Sequence, residues 1–252
     1  MREESDMNMF DISGRRAIVT GASRGLGYGM AQALGEAGAK LAIISSSERV
    51  FSAADELGAH AVRADLGDMQ QLERGFDEAL TALGGVDILV NCAGMTRRHP
   101  CEEFPLEDWQ RVLDVNLTAT FRLCQLAGRE MLKSGYGKII NVASMLSFFG
   151  GWTVPAYAAS KGGVAQLTKA LSDEWAGRGI CVNAIAPGYM ATEINTSLRE
   201  DPVRNQEILM RIPAGRWGTA DDMKGITVFL SSHASDYVSG AIIAVDGGYL
   251  AR

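Results

Sequence analysis

The sequence predicts an α/β fold: a doubly wound parallel sheet of about seven strands, in one domain, with helices on both faces. Three observations predict it. Short apolar runs alternate with helical periodicities along the whole chain. The first apolar run passes directly into a glycine-rich turn and then a helix. The chain also has 252 residues, 47% of them hydrophobic, enough for one sizeable α/β core. No repeat, low-complexity tract or linker divides it, so residues 1–10 read as a flexible polar tail and 11–252 as a single domain.

Taken in order, Arg16-Ala17-Ile18-Val19-Thr20 is the first strand, followed by Gly21-Ala22-Ser23-Arg24-Gly25-Leu26-Gly27 and a helix over 28–37 that Gly38 ends. Glycines at such a turn let the backbone pass close to a pyrophosphate, and the helix N-terminus offers it unpaired N–H groups. The second strand, 41–44, ends in Ser45-Ser46-Ser47. An acidic residue there would hydrogen-bond the adenosine ribose of NAD and repel a 2′-phosphate. Three hydroxyls do not repel it, and Arg24 is placed to pair with it. NADP(H) is therefore expected over NAD(H).

A helix at 49–57, a strand at 61–64 running into Asp65-Leu66, a helix at 70–83 and a strand at 88–90 continue the alternation. That last strand closes on Asn91-Cys92-Ala93-Gly94, with Arg97 and Arg98 just beyond. A long helix over 106–133 is apolar on most of its circumference, a pattern that suggests subunit packing, and Asn116, a poor helix former, sits in its middle. The strand 138–142 leads to Ser144, and a helix that Pro155 starts carries Tyr157 and Lys161. Strand 182–185 leads to Pro187-Gly188, a helix covers 221–230, and strand 242–245 precedes Asp246-Gly247-Gly248.

Tyr157 and Lys161 are four apart, so a helix sets them on one face. A free phenol has a pKa of about 10. To exchange protons near neutrality it must fall, and a neighbouring ammonium favours the phenolate. With the Ser144 hydroxyl at a strand end facing the pair, the three form a proton-transfer arrangement.

The net charge of −6 argues against a nucleic-acid surface. No apolar run approaches membrane-spanning length, and the opening MREESDMNM lacks the apolar stretch of a signal peptide. Four scattered cysteines and three histidines form no ligand-like grouping, so no metal is expected and the thiols read as reduced core residues. A soluble cytoplasmic protein acting on a small molecule is the expectation.

Together, Thr20-Gly21-x3-Gly25-x-Gly27, Asp65, Asn91-x-Ala93-Gly94, Asn116, Ser144, Tyr157-x3-Lys161 and Pro187-Gly188-x3-Thr192 resemble the short-chain dehydrogenase/reductase family over nearly the whole chain. The resemblance implies a Rossmann fold that binds cofactor and substrate in one domain, in a homotetramer. It implies that Ser144 positions a carbonyl or hydroxyl, Tyr157 is the acid/base, Lys161 binds the nicotinamide ribose and lowers the Tyr157 pKa, and Asn116 holds a water leading to solvent. Cofactor contacts are implied for Gly21, Ser23, Arg24, Gly25, Leu26, Gly27, Ser45, Ser46, Asp65, Leu66, Asn91, Ala93, Gly94, Tyr157, Lys161, Pro187, Gly188, Met190 and Thr192. Cys92 departs from the family, which often has a second Asn there.

The second half, through Arg211-Ile212-Pro213-Ala214-Gly215-Arg216-Trp217-Gly218 and the C-terminal Ala244–Arg252 stretch, is similar to the deoxy-gluconate dehydrogenases of that family. A sugar acid needs a cation and polar groups, and Arg97, Arg98, Met145, Phe149 and Tyr189 are the expected substrate contacts. Phe149 stands where a polar residue is expected. The alternative activity is a 3-oxoacyl-acyl-carrier-protein reductase, and the alternative class a catalytically silent cofactor-binding regulator. The polar stretch 193–209 is expected to be helical and to close over the cleft.

Overall fold

In the computed structural model, which describes residues 8–251, seven strands form one parallel sheet in the order β3-β2-β1-β4-β5-β6-β7. They are β1 (Arg16–Thr20), β2 (Lys40–Ser45), β3 (His60–Arg63), β4 (Ile88–Asn91), β5 (Gly137–Val142), β6 (Ile180–Pro187) and β7 (Ile242–Val245). The helices are α1 (Gly25–Glu36), α2 (Arg49–Leu57), α3 (Met69–Leu83), α4 (Leu106–Leu113), α5 (Ala119–Ser134), α6 (Pro155–Trp175), α7 (Thr196–Glu200), α8 (Pro202–Arg211) and α9 (Lys224–Ser231).

The central strands are buried on both faces, which is why they read as unbroken apolar runs rather than alternating ones. Successive side chains still divide between the faces. Ile18 and Ile44 join Phe76 of α3 and Leu123 of α5 in one core, while Val19 and Ile43 join Met30 of α1 and Leu230 of α9 in the other. Helices cover both faces of the central strands, while the edge strands β3 and β7 stay partly exposed.

Strand order reverses between β1 and β4, which pair with Thr20 opposite Asn91. In an open parallel sheet, the crevice outside the carboxyl ends of the strands at such a reversal is where ligands bind. Every motif singled out from the sequence lies at that edge of the sheet.

The helix expected over 106–133 is not continuous. Between α4 and α5, Asp114–Thr118 forms a π turn in which the Ala119 N–H bonds back to the Asp114 carbonyl. Such turns are rare and favour functional positions, and this one carries Asn116. The helix expected from 221 begins regular α geometry only at Lys224, after a tighter turn over Ala220–Met223 capped by Thr219 and Asp222.

Of the tail expected over 1–10, residues 1–7 lie outside the described residues. Asn8–Phe10 form a turn: Ala234 N donates to Met9 O (3.0 Å), and the Phe10 and Phe229 rings lie 6.4 Å apart.

Candidate active site

The glycine turn packs backbone against backbone. At Gly21, with φ of 67°, a Cβ would lie 2.7 Å from Ala93 Cα, and at Gly27 it would lie 2.4 Å from Gly21 O. No side chain fits at either place. The turn therefore presses on the end of β4, and Thr20 Oγ1 fastens the two by accepting from Cys92 N and Ala93 N at 3.1 Å each. Helix α1 begins without a side-chain cap at Arg24, so its first-turn N–H groups remain available beside this turn. Ser23 Oγ and Ser45 Oγ are hydrogen-bonded at 2.9 Å, which brings the end of β2 to the same place. Uncapped amides, side-chain-free backbone and hydroxyls in place of a carboxylate fit a phosphate-bearing dinucleotide.

Asp65, expected at the adenine, is gripped by Arg111 of α4, whose Nη2 donates to both carboxylate oxygens at 2.7 and 2.8 Å. Asp65 also accepts from Gly67 N at 2.9 Å, while Leu66 is buried beside it. Arg111 was not singled out from the sequence, because an arginine on an amphipathic helix carries no sign of a partner 46 residues away.

The interior of the site is a polar ladder through the sheet. Asn91 Nδ2 donates to Asn141 Oδ1 (2.9 Å), and Asn141 Nδ2 donates to Thr168 Oγ1 of α6 (3.0 Å). Next to it, Asn116 is fully buried. Its Oδ1 accepts from Met95 N (2.8 Å), and its Nδ2 donates to Met95 O (2.9 Å) and Ser160 Oγ (3.0 Å). Ser160 Oγ in turn donates to the Tyr157 carbonyl at 2.8 Å. Asn116 thus joins the loop after β4 to the helix bearing Tyr157, through a serine that sequence reading missed. Its signal was a hydroxyl three residues from Tyr157 in an otherwise small-residue stretch.

The Ser144 side chain acts on the Tyr157 phenol and favours its ionised form, and Lys161 Nζ lies 5.7 Å from the centroid of the Tyr157 ring. Lys161 is 4% exposed and donates from Nζ to Val142 O at 2.6 Å. Asn116 Oδ1 and Lys161 Nζ both border Gly94, 3.4 and 3.6 Å from where its Cβ would stand. A second serine holds the frame: Ser147 Oγ donates to Lys161 O at 2.7 Å and accepts from Ser144 N at 3.3 Å. The expected four therefore meet, together with Ser147 and Ser160.

The expected electrostatics do not appear in the chain alone. Burial pushes the Tyr157 phenol above its ordinary range, the Ser144 hydrogen bond pulls against this, and the nearby Cys92 adds to the rise. Burial likewise lowers Lys161 to about 8. Desolvation is the largest cause of both shifts, since both groups sit in the same poorly solvated space. The Cys92 thiol, driven by burial up to about 11, stays protonated there.

Beyond Ser144 the site opens onto an aromatic wall. Phe149 stacks on Tyr249 (6.0 Å), and Tyr189 meets Tyr249 (5.5 Å) and Trp217 (5.4 Å) edge-on. Met145 is buried behind it with Ile208 and Ile212 of the 193–212 segment, and the Arg211 guanidinium lies 4.7 Å over the Tyr249 ring. Pro187 ends β6, and Gly188 N donates to Val245 O (2.9 Å). Met190 is buried, flanked by hydrogen bonds of Tyr189 and Ala191 with Gly218. Thr192 Cγ2 stands 3.8 Å from the Cβ position of Gly25.

The arginine pair separates. Arg97 Nε lies 3.4 Å from Asp108 Oδ1, the carboxylate that also pairs with His99 Nε2 at 2.7 Å. Arg98 is exposed and enters no ion pair among the described residues. His99 N further donates to Thr153 O at 3.1 Å, holding that β-branched residue at φ of 62°, a strained conformation in the loop between Ser144 and Tyr157.

A family model described as enoyl-(acyl carrier protein) reductase matches residues 21–250. The chain is 52% identical over 248 residues to the 2-dehydro-3-deoxy-D-gluconate 5-dehydrogenase of Bacillus subtilis strain 168, covering 96% of this chain and 97% of that protein. It is similar to a solved structure from Beutenbergia cavernae, provisionally named an NAD(P)-dependent gluconate 5-dehydrogenase, with NADP bound at low occupancy. The two share 48% identity and a TM-score of 0.94, over 97% of this chain and 100% of that one. A gluconate 5-dehydrogenase from Burkholderia cenocepacia J2315, in complex with NADP and tartrate, is 38% identical with a TM-score of 0.93, over 98% and 100% of the two chains.

Proposed function

The chain belongs to the short-chain dehydrogenase/reductase family, and from that premise we propose that it interconverts a secondary alcohol and a ketone of a deoxy-gluconate-type sugar acid, with Tyr157 as acid/base. The observation that carries the chemistry is the Tyr157 ring 5.7 Å from the Nζ of a buried Lys161, with Ser144 acting on its phenol. When bound, the nicotinamide dinucleotide supplies or accepts the hydride. The chain's own residues manage the proton. A carbonyl oxygen accepting from Ser144 and Tyr157 would receive the phenolic proton as negative charge develops on it, and Lys161 would hold the resulting phenolate by its charge. Asn116, through Ser160 and Met95, fixes the helix that presents Tyr157.

The cofactor would be cradled by Gly21, Ser23, Arg24, Gly25, Leu26 and Gly27, with Ser45 and Ser46 toward the adenosine ribose. Asp65 and Leu66 would serve the adenine. Asn91, Ala93 and Gly94 would line the channel, and Pro187, Gly188, Met190 and Thr192 the nicotinamide side. NADP(H) is the preferred form, a reading supported by the absence of a carboxylate at the end of β2 and by Arg24 beside it. For the substrate carboxylate, Arg98 and Arg211 are the available cations, with Met145, Phe149 and Tyr189 shaping the wall. Arg97, paired with Asp108, is assigned to holding the loop rather than to the ligand.

A cytoplasmic homotetramer with no nucleic-acid partner completes the proposal. The exposed Leu106 (82%) and Phe121 (43%) on α4 and α5 support a subunit contact there. Among the described residues no helix is long and apolar enough to cross a membrane.

The deciding experiment is a panel of 2-deoxy- and 2-keto-3-deoxy-gluconates, gluconate, 5-ketogluconate and acetoacetyl thioesters, followed by NAD(P)H absorbance. Turnover of the sugar acids well above the thioester is expected. Turnover of the thioester alone would reassign the chain to acyl-carrier chemistry.

A further inference from the structure

We propose that Glu193 sets the balance between the two nicotinamide dinucleotides, because its carboxylate occupies the arginine pair that the 2′-phosphate of NADP(H) would engage. The inference rests on the reading above that the end of β2 receives the adenosine ribose.

Glu193 bridges two arginines from different elements. Its Oε2 pairs with Arg24 Nη1 at the start of α1, and its Oε1 lies 3.2 Å from Nη1 of Arg49, the first residue of α2. Between these residues in sequence lies Ser45-Ser46-Ser47, where the absence of a carboxylate leaves room for a phosphate. A third arginine there, Arg63, donates to Ser46 O at 3.4 Å and is paired with Glu48, so that carboxylate is already engaged. The acid on Arg24 and Arg49 therefore comes from the far side of the cleft.

Charge and exposure make the contact exchangeable. The three side chains are 55%, 58% and 57% exposed, and together they carry a net charge of +1. An exposed ion pair of this kind contributes little and is screened by salt. A phosphate monoester, with a charge of about −1.5 to −2 and three acceptor oxygens, satisfies two guanidinium groups better than one carboxylate does. The 2′-hydroxyl of NAD(H) brings no charge and leaves Glu193 in place.

Glu193 directly follows Thr192, whose methyl group stands beside Gly25, and opens the segment carrying α7 and α8. With NAD(H), the carboxylate pins the start of that segment to the glycine turn. With NADP(H), the phosphate takes the arginines and Glu193 is released. The chain's own acid thus opposes NADP(H) and favours NAD(H), offsetting part of the preference written at the end of β2.

The test is a nicotinamide-fluorescence titration of wild type, Glu193→Gln and Arg49→Ala with NADPH and with NADH. It is backed by calorimetric binding of 2′,5′-ADP against 5′-ADP, which needs no turnover. Glu193→Gln should tighten NADPH and 2′,5′-ADP by about two- to fivefold, the worth of exposed ion pairs, with NADH no tighter. Arg49→Ala should weaken NADPH by about tenfold, as expected for a lost charge-assisted hydrogen bond. If Arg49→Ala weakens NADPH but Glu193→Gln leaves the NADPH:NADH ratio unchanged or lower, the role of Glu193 is overturned and the phosphate site stands. If Arg49→Ala leaves NADPH binding unaltered, the phosphate site itself is misassigned and the proposal falls with it.

Discussion

The two ends of the proposed dinucleotide groove are built on opposite principles. At the inner end, Lys161, Asn116, Ser144 and Ser160 are buried, and the hydrogen-bonding groups of Asn116 and Ser160 have assigned protein partners. At the outer end, Arg24, Arg49 and Glu193 are more than half exposed and hold one another through solvent-accessible, hydrogen-bonded ion pairs. Burial raises the cost of an unpaired polar group, so the inner end tolerates one arrangement and defines a reaction. Exposure makes the outer contacts weak and replaceable, which suits a position that has to release its own carboxylate to a ligand.

The contrast is most sharply broken or upheld at Tyr157. Removing its hydroxyl in Tyr157→Phe should cut kcat by about a hundredfold or more, the usual worth of a positioned acid/base. Cofactor affinity should stay within about twofold, measured by fluorescence titration alongside steady-state rates. Near-normal turnover would dissolve the distinction between the two ends.

Lys161 gives a smaller effect with a defined sign. Its folded-state pKa, about 8, lies below the value of 10.5 for the free side chain. Below about pH 8 the folded chain carries the full cost of a buried ammonium, and the unfolded chain binds more protons between the two values. Stability should therefore rise with pH through that window relative to Lys161→Met. The relative gain is on the order of 1–3 kcal/mol, read as the difference between their urea midpoints at pH 7.5 and pH 10. A flat difference would show that Lys161 is better solvated than its position indicates.

The smallest effect belongs to the outer end. Raising salt from about 50 mM to about 500 mM should weaken NADPH by about threefold more than NADH, since screening acts on exposed charges. The kcat at saturating cofactor should hardly move. Equal salt dependence for the two dinucleotides would argue that no exposed arginine reads the phosphate.

This difference also explains what could be read in the sequence. The inner end was legible because buried strands announce themselves as apolar runs, and Ser144, Tyr157 and Lys161 follow such runs at fixed intervals; β1 and β7 fall where expected. Ser147, Ser160 and the π turn around Asn116 were not legible, since their meaning depends on packing between α6 and the helix that the turn interrupts. Arg97 and Arg98 look alike in sequence, and only the fold gives Asp108 to the first. Arg49 and Glu193 stood 144 residues apart with no pattern joining them, and Arg111 was equally silent about Asp65. Long-range charge pairs leave no periodicity. The fall in the Tyr157 pKa, read from spacing alone, was overridden by desolvation, which spacing does not report.

The π turn at Asp114–Thr118 has a consequence for chain length. Its five-residue hydrogen bond means that one residue more than a regular helix needs is stored between α4 and α5. Deleting a single residue inside a helix ordinarily throws the rest of it out of phase with its neighbours. Here a deletion would restore unbroken α geometry and leave the residues on either side in phase with their neighbours, while the wide turn that places Asn116 disappears. A shortened chain could keep its helix and its core, yet carry Asn116 away from Met95 and Ser160. Loss of a residue, more than exchange of one, is thus the kind of change by which this scaffold could keep its fold and lose its reaction.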